Sequence, residues 1–482
     1  MNKKVIVVLL IGLFSLKAGY AQEQAAASFT LDQAIQYALE HSIATQNAVL
    51  DQKISDAKVK ETTGIGLPQI SGSASVVHNP QLPRFYQQYS DAPGGFSFID
   101  PTLLPGIKNG DVYAAQNFFQ LKSSGDVSAT ANQLLFNGSY LVGLKAAKTY
   151  RELSLRNLNQ TREQVIIQVT KAFYGVIINK ERTDLFTNNI NRVDSLLKNT
   201  KALNANGFAE SIDVDRIQVN LNNLIVERDK FLNLNELSLE LLKFQMNYPM
   251  EQPITVTGTI QDVQVDDPVA AYQQEWDYKQ RPDYQTLETN RKLQELNVRN
   301  KYAAGMPVLS AFAKYGYSTQ SNGIGGIFKT NSNFQEIPQV GRDKWYAYSQ
   351  IGVSMNIPIF SGFQLHYQVQ QEKISLMKIQ NNFTGLKNSI DLEIKQSTVN
   401  FRNALRSLSA QQSNMDLAGK VAQVTKVKYE QGVGSNIEVV DAENSLRQAQ
   451  TNYYNALYDA MIAKVDIDKA YGKILPAAVV SK

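Results

Sequence analysis

The sequence predicts a membrane β-barrel continued by a long α-helical barrel, mainly α overall. Three observations carry that expectation: two pairs of segments alternate at strand periodicity, two very long stretches lack proline, and the layout is written twice. Leu135-Phe136-Asn137-Gly138 returns as Ile359-Phe360-Ser361-Gly362, 224 residues on, and Gly207-Phe208-Ala209-Glu210-Ser211-Ile212-Asp213 returns as Gly432-Val433-Gly434-Ser435-Asn436-Ile437-Glu438, 225 residues on. A register held to one residue means that both halves carry a long element of equal length. Gly66-Leu67-Pro68 and Gly305-Met306-Pro307 are 239 residues apart, so the first copy holds an insertion of about 15 residues, which belongs in a loop.

Lys3-Lys4, an apolar run from Val5 to Leu16 and Gly19-Tyr20-Ala21 have the three-part form of a secretory signal over residues 1–21. That run is too short to span a bilayer as a helix, which takes about 20 residues, and no later stretch qualifies. A β-barrel stays open, because its alternating strands give a weak hydropathy signal. With no cysteine, disulfide and thiol chemistry are excluded, and a net charge of +4 with interspersed signs argues against nucleic acid.

The first repeat spans 22–247. It opens with a helical segment, Leu31–Thr62, broken near His41-Ser42. A β-hairpin follows over 69–135: Ile70, Gly72, Ala74 and Val76 alternate with Gln69 and serines, while Val127, Ala129, Ala131 and Leu135 alternate with polar residues, Gln133 being the exception. The helical hairpin 139–247 has no proline from Ser139 to Leu203, and a straight helix of that length would run roughly 100 Å. Phe186, Ile190, Val193 and Leu197 step by 4, 3 and 4, the spacing of a coiled coil.

Residues 248–282 read as a connector, with four of the fourteen prolines and a short strand at Ile254–Thr257. The second repeat, 283–475, has a helix at Asp283–Ala304, a β-hairpin over 307–357 and a helical hairpin over 363–471, with the stripe Leu446, Ala449, Tyr453, Ala456, Ala460, Ala463, Ile467. Ser211 and Asn436 are expected as N-caps of the helices that follow the glycine turns. The strand-to-strand connections, from about His78 to Asp126 and Ser318 to Lys344, read as long irregular outer loops.

Two hairpins supply four strands, which cannot close a barrel, and an open edge in lipid costs several kcal/mol per unpaired group. Two copies would give eight strands with a filled interior; three give twelve and a lumen, which makes a cyclic homotrimer the economical solution.

Phe29-Thr30-Leu31-Asp32-Gln33-Ala34-Ile35, Arg281-Pro282-Asp283, Pro358-Ile359-Phe360-Ser361-Gly362 and Tyr429-Glu430-Gln431-Gly432 leading into Ile437-Glu438-Val439-Val440-Asp441-Ala442 resemble the TolC family of outer membrane efflux proteins, in order and spacing across both halves. The resemblance implies a homotrimeric channel-tunnel in the outer membrane of a Gram-negative bacterium. Its twelve-stranded barrel would continue into a periplasmic α-barrel, docked on a periplasmic adaptor and an inner-membrane pump of the RND or ABC type. It further implies that Glu438 and Asp441 form gate carboxylate rings at the periplasmic end, that Tyr429 and Asp213 latch neighbouring hairpin tips, and that Gly207, Phe208, Ala209, Gly432, Val433 and Gly434 seat the adaptor. The family's arginine after the turn is Gly434 here, so at least one latch bond is missing or replaced.

Each of these residues also has a plainer role. Acids in a first helical turn complement the helix dipole, glycines terminate helices, and Tyr429 can pack against a neighbouring helix. His41, His78 and His366 lack ligand spacing, and Ser55-x-x-Lys58 and Ser195-x-x-Lys198 have no partner motif, so no metal, cofactor or catalytic residue is expected. Without a phosphate loop, energy for transport must come from a partner. The same duct serving type I protein secretion and, from another class, a periplasmic coiled-coil scaffold are the competing readings.

Overall fold

A computed structural model describes residues 27–92, 105–117, 119–258, 267–329 and 345–475; the signal segment and parts of both strand connections lie outside the described residues. In chain order the elements of the first half are β1 (Ala27–Phe29), α1 (Leu31–His41), α2 (Ile43–Gly64), β2 (Gln69–His78), β3 (Arg84–Gln88), β4 (Val112–Gln116), β5 (Ser123–Phe136), α3 (Gly138–Ala205) and α4 (Ser211–Met246). Then come β6 (Ile254–Val256), α5 (Val269–Gln274), a 3-10 turn at Tyr278–Gln280, α6 (Pro282–Ala303), β7 (Val308–Ser321), α7 (Ile324–Ile327), β8 (Tyr346–Asn356), α8 (Gln364–Glu430) and α9 (Asn436–Ala470). No described helix is long and apolar enough to cross a membrane, which says nothing of a barrel.

The chain divides into two compact units, and the sheet unit comprises residues 56–148 and 293–375. Its four antiparallel strands run β2-β5-β7-β8, so the hairpins of the two repeats are joined by pairing of β5 with β7. The register puts Ile70, Ala131, Ala313 and Ile351 side by side, with Val127 beside Tyr317 and Ala129 beside Tyr315 on the same face. The opposite face carries Ser73, Asp126, Ser128, Lys314 and Tyr348; there the Tyr348 hydroxyl donates to Asp126 at 2.5 Å and Ser73 meets Ser128 at 2.9 Å. One face is thus apolar and the other polar, as alternation requires.

Two details refine the sequence reading. A bulge between Leu134 and Phe136 takes Leu135 out of the alternation, and Phe136 pairs with Leu309 instead. Gln133 sits on the apolar face because its amide donates to the Gly66 carbonyl at 2.9 Å and the Leu134 carbonyl at 2.8 Å. The first strand connection is also more ordered than expected, since β3 and β4 pair as a further hairpin with Tyr113 and Ala115 buried. The repeated Phe-x-Gly signature ends each strand pair by different means. Gly362 adopts φ +59°, whereas at Gly138 a Cβ would lie 2.8 Å from the Met306 sulfur and 3.2 Å from the Ala303 carbonyl oxygen, so a larger residue there needs Met306 to move.

The helical unit comprises residues up to 55, 149–292 and from 376 onward. Thr30 and Gln33 form a capping box that starts α1, and the chain breaks at Ser42 because its hydroxyl accepts from the Thr45 amide and so caps α2. Ala34 and Ala38 of α1 pack on Val169, Phe173 and Val176 of α3 and Leu242 of α4. Nearer the helix turns, Phe186, Val193, Leu196 and Leu197 interlock with Ile217, Leu221, Leu224 and Phe231, and the Phe186 and Phe231 rings stack at 5.3 Å. The second stripe is likewise inward, with Leu446, Ala456, Ala460 and Ile467 buried. The stretch read as a connector carries α5, whose Val269 is fully buried with Phe401, Ile467 and Tyr471.

Candidate channel-gating site

Both long helices end at a glycine in the left-handed region, Gly207 at φ +79° and Gly432 at φ +73°. Behind each, the next amide reaches back to the last turn: Phe208 N–H donates to the Leu203 carbonyl at 2.9 Å and Val433 N–H to that of Lys428 at 3.0 Å. That is the Schellman closure of a helix, and only glycine adopts its φ without strain. Ala209 is half-buried and its carbonyl accepts from the Asn204 amide at 2.8 Å, while Phe208 and Val433 are 81% and 78% exposed. A Cβ on Gly434 would meet the Lys428 Cβ and the Tyr429 nitrogen at 3.1 Å. An arginine there would therefore need the turn itself to shift.

The expected N-caps are each displaced by one residue. Glu210, not Ser211, precedes α4, with its amide donating to the Asp213 carboxylate at 3.4 Å. Ser435, not Asn436, caps α9, its hydroxyl accepting from the Glu438 amide. Asn436 is left to turn inward, donating to the Asp213 carbonyl at 2.9 Å and so tying the two tips together.

Within one chain Asp213 and Tyr429 are not bonded to one another. The Asp213 carboxylate serves its own helix, with Arg216 at 3.6 Å, and the Tyr429 hydroxyl lies 3.3 Å from the buried Thr200 hydroxyl, its ring against the cluster around Val439. Glu438 and Asp441 are both exposed, one helical step of three apart, and flank the buried face of Val439, Ala442, Glu443 and Leu446.

Glu443 is the residue that the sequence reading missed. Its side chain is 5% exposed, and Arg192 of α3 grips both carboxylate oxygens, with contacts of 3.0, 3.0 and 2.7 Å. The pair heads a polar ladder between α3 and α9 that continues through Asn189 to Gln450, Arg182 to Asn455 and Lys171 to Asp466. A charge three residues before Leu446 on an apolar stripe was the available signal.

Farther along the same helices, Arg281 is buried between Asp283 at 2.7 Å and Glu393 at 2.9 Å, and donates to the Lys469 and Ala470 carbonyls that end α9. Lys469 pairs with Glu393 at 2.8 Å. Burial, opposed in part by Arg281, pushes the neighbouring Glu163 carboxyl up to about 7, and its Oε1 has no hydrogen-bond partner. Among the described residues no group of acidic or histidine side chains is arranged to hold a metal ion.

Residues 278–473 match the outer membrane efflux protein family. TolC of Vibrio cholerae is 20% identical over 409 residues, covering 82% of this chain and 88% of that protein. TolC of Escherichia coli is 22% identical over 183 residues, 37% of this chain, so the alignment spans only 35% of that relative's length. The MtrE outer membrane channel of Neisseria gonorrhoeae, solved in its open state, superposes with a TM-score of 0.67 at 17% identity, covering 92% of this chain and 88% of that one. The fold is therefore that of the TolC-like outer membrane channels. Over residues 278–473 the sequence, too, is similar to the outer membrane efflux proteins.

Proposed function

We propose that three copies of this chain close into a channel through the outer membrane and act as the passive exit duct of a small-molecule efflux assembly. The observation that carries this reading is the four-stranded sheet, apolar on one face and polar on the other, in which β2 pairs only with β5 and β8 only with β7 among the described residues. Two bare edges beside an apolar face are untenable in lipid unless another copy pairs with them. Three sheets give twelve strands and a lumen lined by the polar face. The helical hairpins belong to the periplasmic part of the protein. Their exposed tips, Phe208 and Val433, and an open groove of about 360 Å³ bordered by Ile212, Val219 and Val440, are suited to the helices of a periplasmic adaptor that links the duct to an inner-membrane pump.

In this assembly Glu438 and Asp441 form two stacked rings of three carboxylates at the mouth, which attract cations and repel anions. Within each chain Asn436 on Asp213 and Tyr429 on Thr200 brace the tips, and Tyr429 and Asp213 are placed to latch neighbouring hairpin tips. In planar bilayers the wild-type channel should be cation-selective and blocked by multivalent cations from the periplasmic side. A carboxylate about 4 Å from a cation is worth about 1 kcal/mol even at the dielectric of water. Glu438→Ala with Asp441→Ala should therefore weaken the block about tenfold or more, with assembly intact. Unchanged block would place selectivity elsewhere and remove the ring from the mechanism.

A further inference from the structure

At the loop end of the sheet, opposite the end that leads into α3 and α8, the short helix α7 is folded back against β5 and β7. Ile327 is fully buried there, and the Trp345 indole N–H donates to its carbonyl at 3.2 Å. Gly125 reports which face they cover. Its Cβ would point at the Trp345 ring (2.8 Å), Ile327 and Thr319 (both 3.1 Å). Gly125 stands beside Thr319 in the register, and two residues further along the same face come Val127 and Tyr317, then Ala129 and Tyr315. That is the apolar face, where Ile351 is 88% and Val353 64% exposed. Asp126, Lys314 and Tyr348 occupy the other.

The height of α7 follows from the strand. Leu309 to Tyr317 is nine residues, about the length of one tilted membrane-spanning strand. Thr319 is the next position on that face, so α7 and Trp345 sit just beyond the Tyr315–Tyr317 pair, at the level of an interfacial aromatic girdle. They cover the two inner strands, away from the bare edges at β2 and β8 that another copy would take. Ile324 and Phe328 remain 47% and 73% exposed on this segment. A loop element poised over the pore would pack on the polar face; this one does not.

We propose that α7, Phe328 and Trp345 form a lipid-facing collar around the outer rim of the barrel, seated against acyl chains at the head-group boundary of the outer leaflet. The proposal rests on the membrane-barrel reading above. The chain has two tryptophans, Trp276 and Trp345, so Trp276→Phe makes Trp345 the sole indole of the full-length protein. In phospholipid vesicles brominated near the head-group end of the acyl chain, Trp345 should lose most of its emission, while iodide in the aqueous phase has little effect. Quenching by iodide but not by bromolipid would put the segment in the pore or in solvent. Quenching by neither would put it under protein, a second copy included, and either result overturns the collar.

Ile351→Trp in a background of Trp276→Phe and Trp345→Phe separates the two readings. If bromolipid fails to quench it, the membrane barrel itself is wrong; if it is quenched and Trp345 is not, the collar alone is wrong. Because the chain has no cysteine, Phe328→Cys carrying a nitroxide gives a second readout in the protein with both tryptophans retained. It should be accessible to oxygen dissolved in lipid and shielded from a water-soluble nickel chelate, and the reverse order of accessibility would contradict the proposal.

Discussion

Arg192→Met should destabilise the protein by about 3–5 kcal/mol, the usual consequence of leaving one member of a buried ion pair without its partner. Glu443 is held by Arg192 through both carboxylate oxygens, and once the guanidinium is gone the carboxylate remains on the packed face of α9 beside Val439, Ala442 and Leu446. Thermal unfolding in detergent is the direct readout. Arg192→Met combined with Glu443→Met should recover most of the loss, since a buried pair replaced by apolar groups of similar volume is often neutral or stabilising. A double variant as unstable as the single one would mean that the ladder through Asn189 and Gln450, rather than the charge pair, holds α3 to α9.

Arg281→Met should cost a similar amount, about 3–5 kcal/mol, because Asp283, Glu393 and the α9 carbonyls lose their common donor at once. Arg281→Lys should fail to rescue it. A single ammonium cannot serve two carboxylates and two carbonyls in the way a planar guanidinium does. The same cluster sets a pH dependence. The Glu163 carboxyl is raised to about 7, so the stability it contributes as a neutral group is complete below its unfolded value and is lost as pH rises through about 7. Glu163→Gln should therefore stabilise the protein above neutrality and flatten its unfolding profile between pH 5 and about 8; an unaltered profile would show that Glu163 is not the titrating group.

The strands and long helices were legible because each declares a period. Ile70, Gly72 and Ala74 alternate and Phe186, Val193 and Leu197 step by coiled-coil intervals, and the structure puts one set on one face of the sheet and the other in the core between α3 and α4. What could not be read was anything decided by a partner distant in sequence. Pairing of β5 with β7 joins the two repeats, and no local pattern in Val127–Phe136 announces Leu309–Tyr317 as its neighbour. The caps slipped by one residue because Ser435 and Asn436 are equally good cap chemistry, and only the structure shows that Asn436 is committed to the Asp213 carbonyl. Gly207 and Gly432 were legible as turns, since positive φ is a demand that glycine alone meets cheaply. Arg281 was visible only as a motif residue; its work at the end of α9 depends on Lys469 and Ala470, 188 and 189 positions later.

A barrel forms only if the bare edges of one four-stranded sheet are closed by two more copies of the chain. Native mass measurement on detergent-extracted protein tests it most directly. The expected result is a particle of three chains that needs detergent to stay in solution and that resists dissociation. A monodisperse single chain, soluble without detergent, would contradict it.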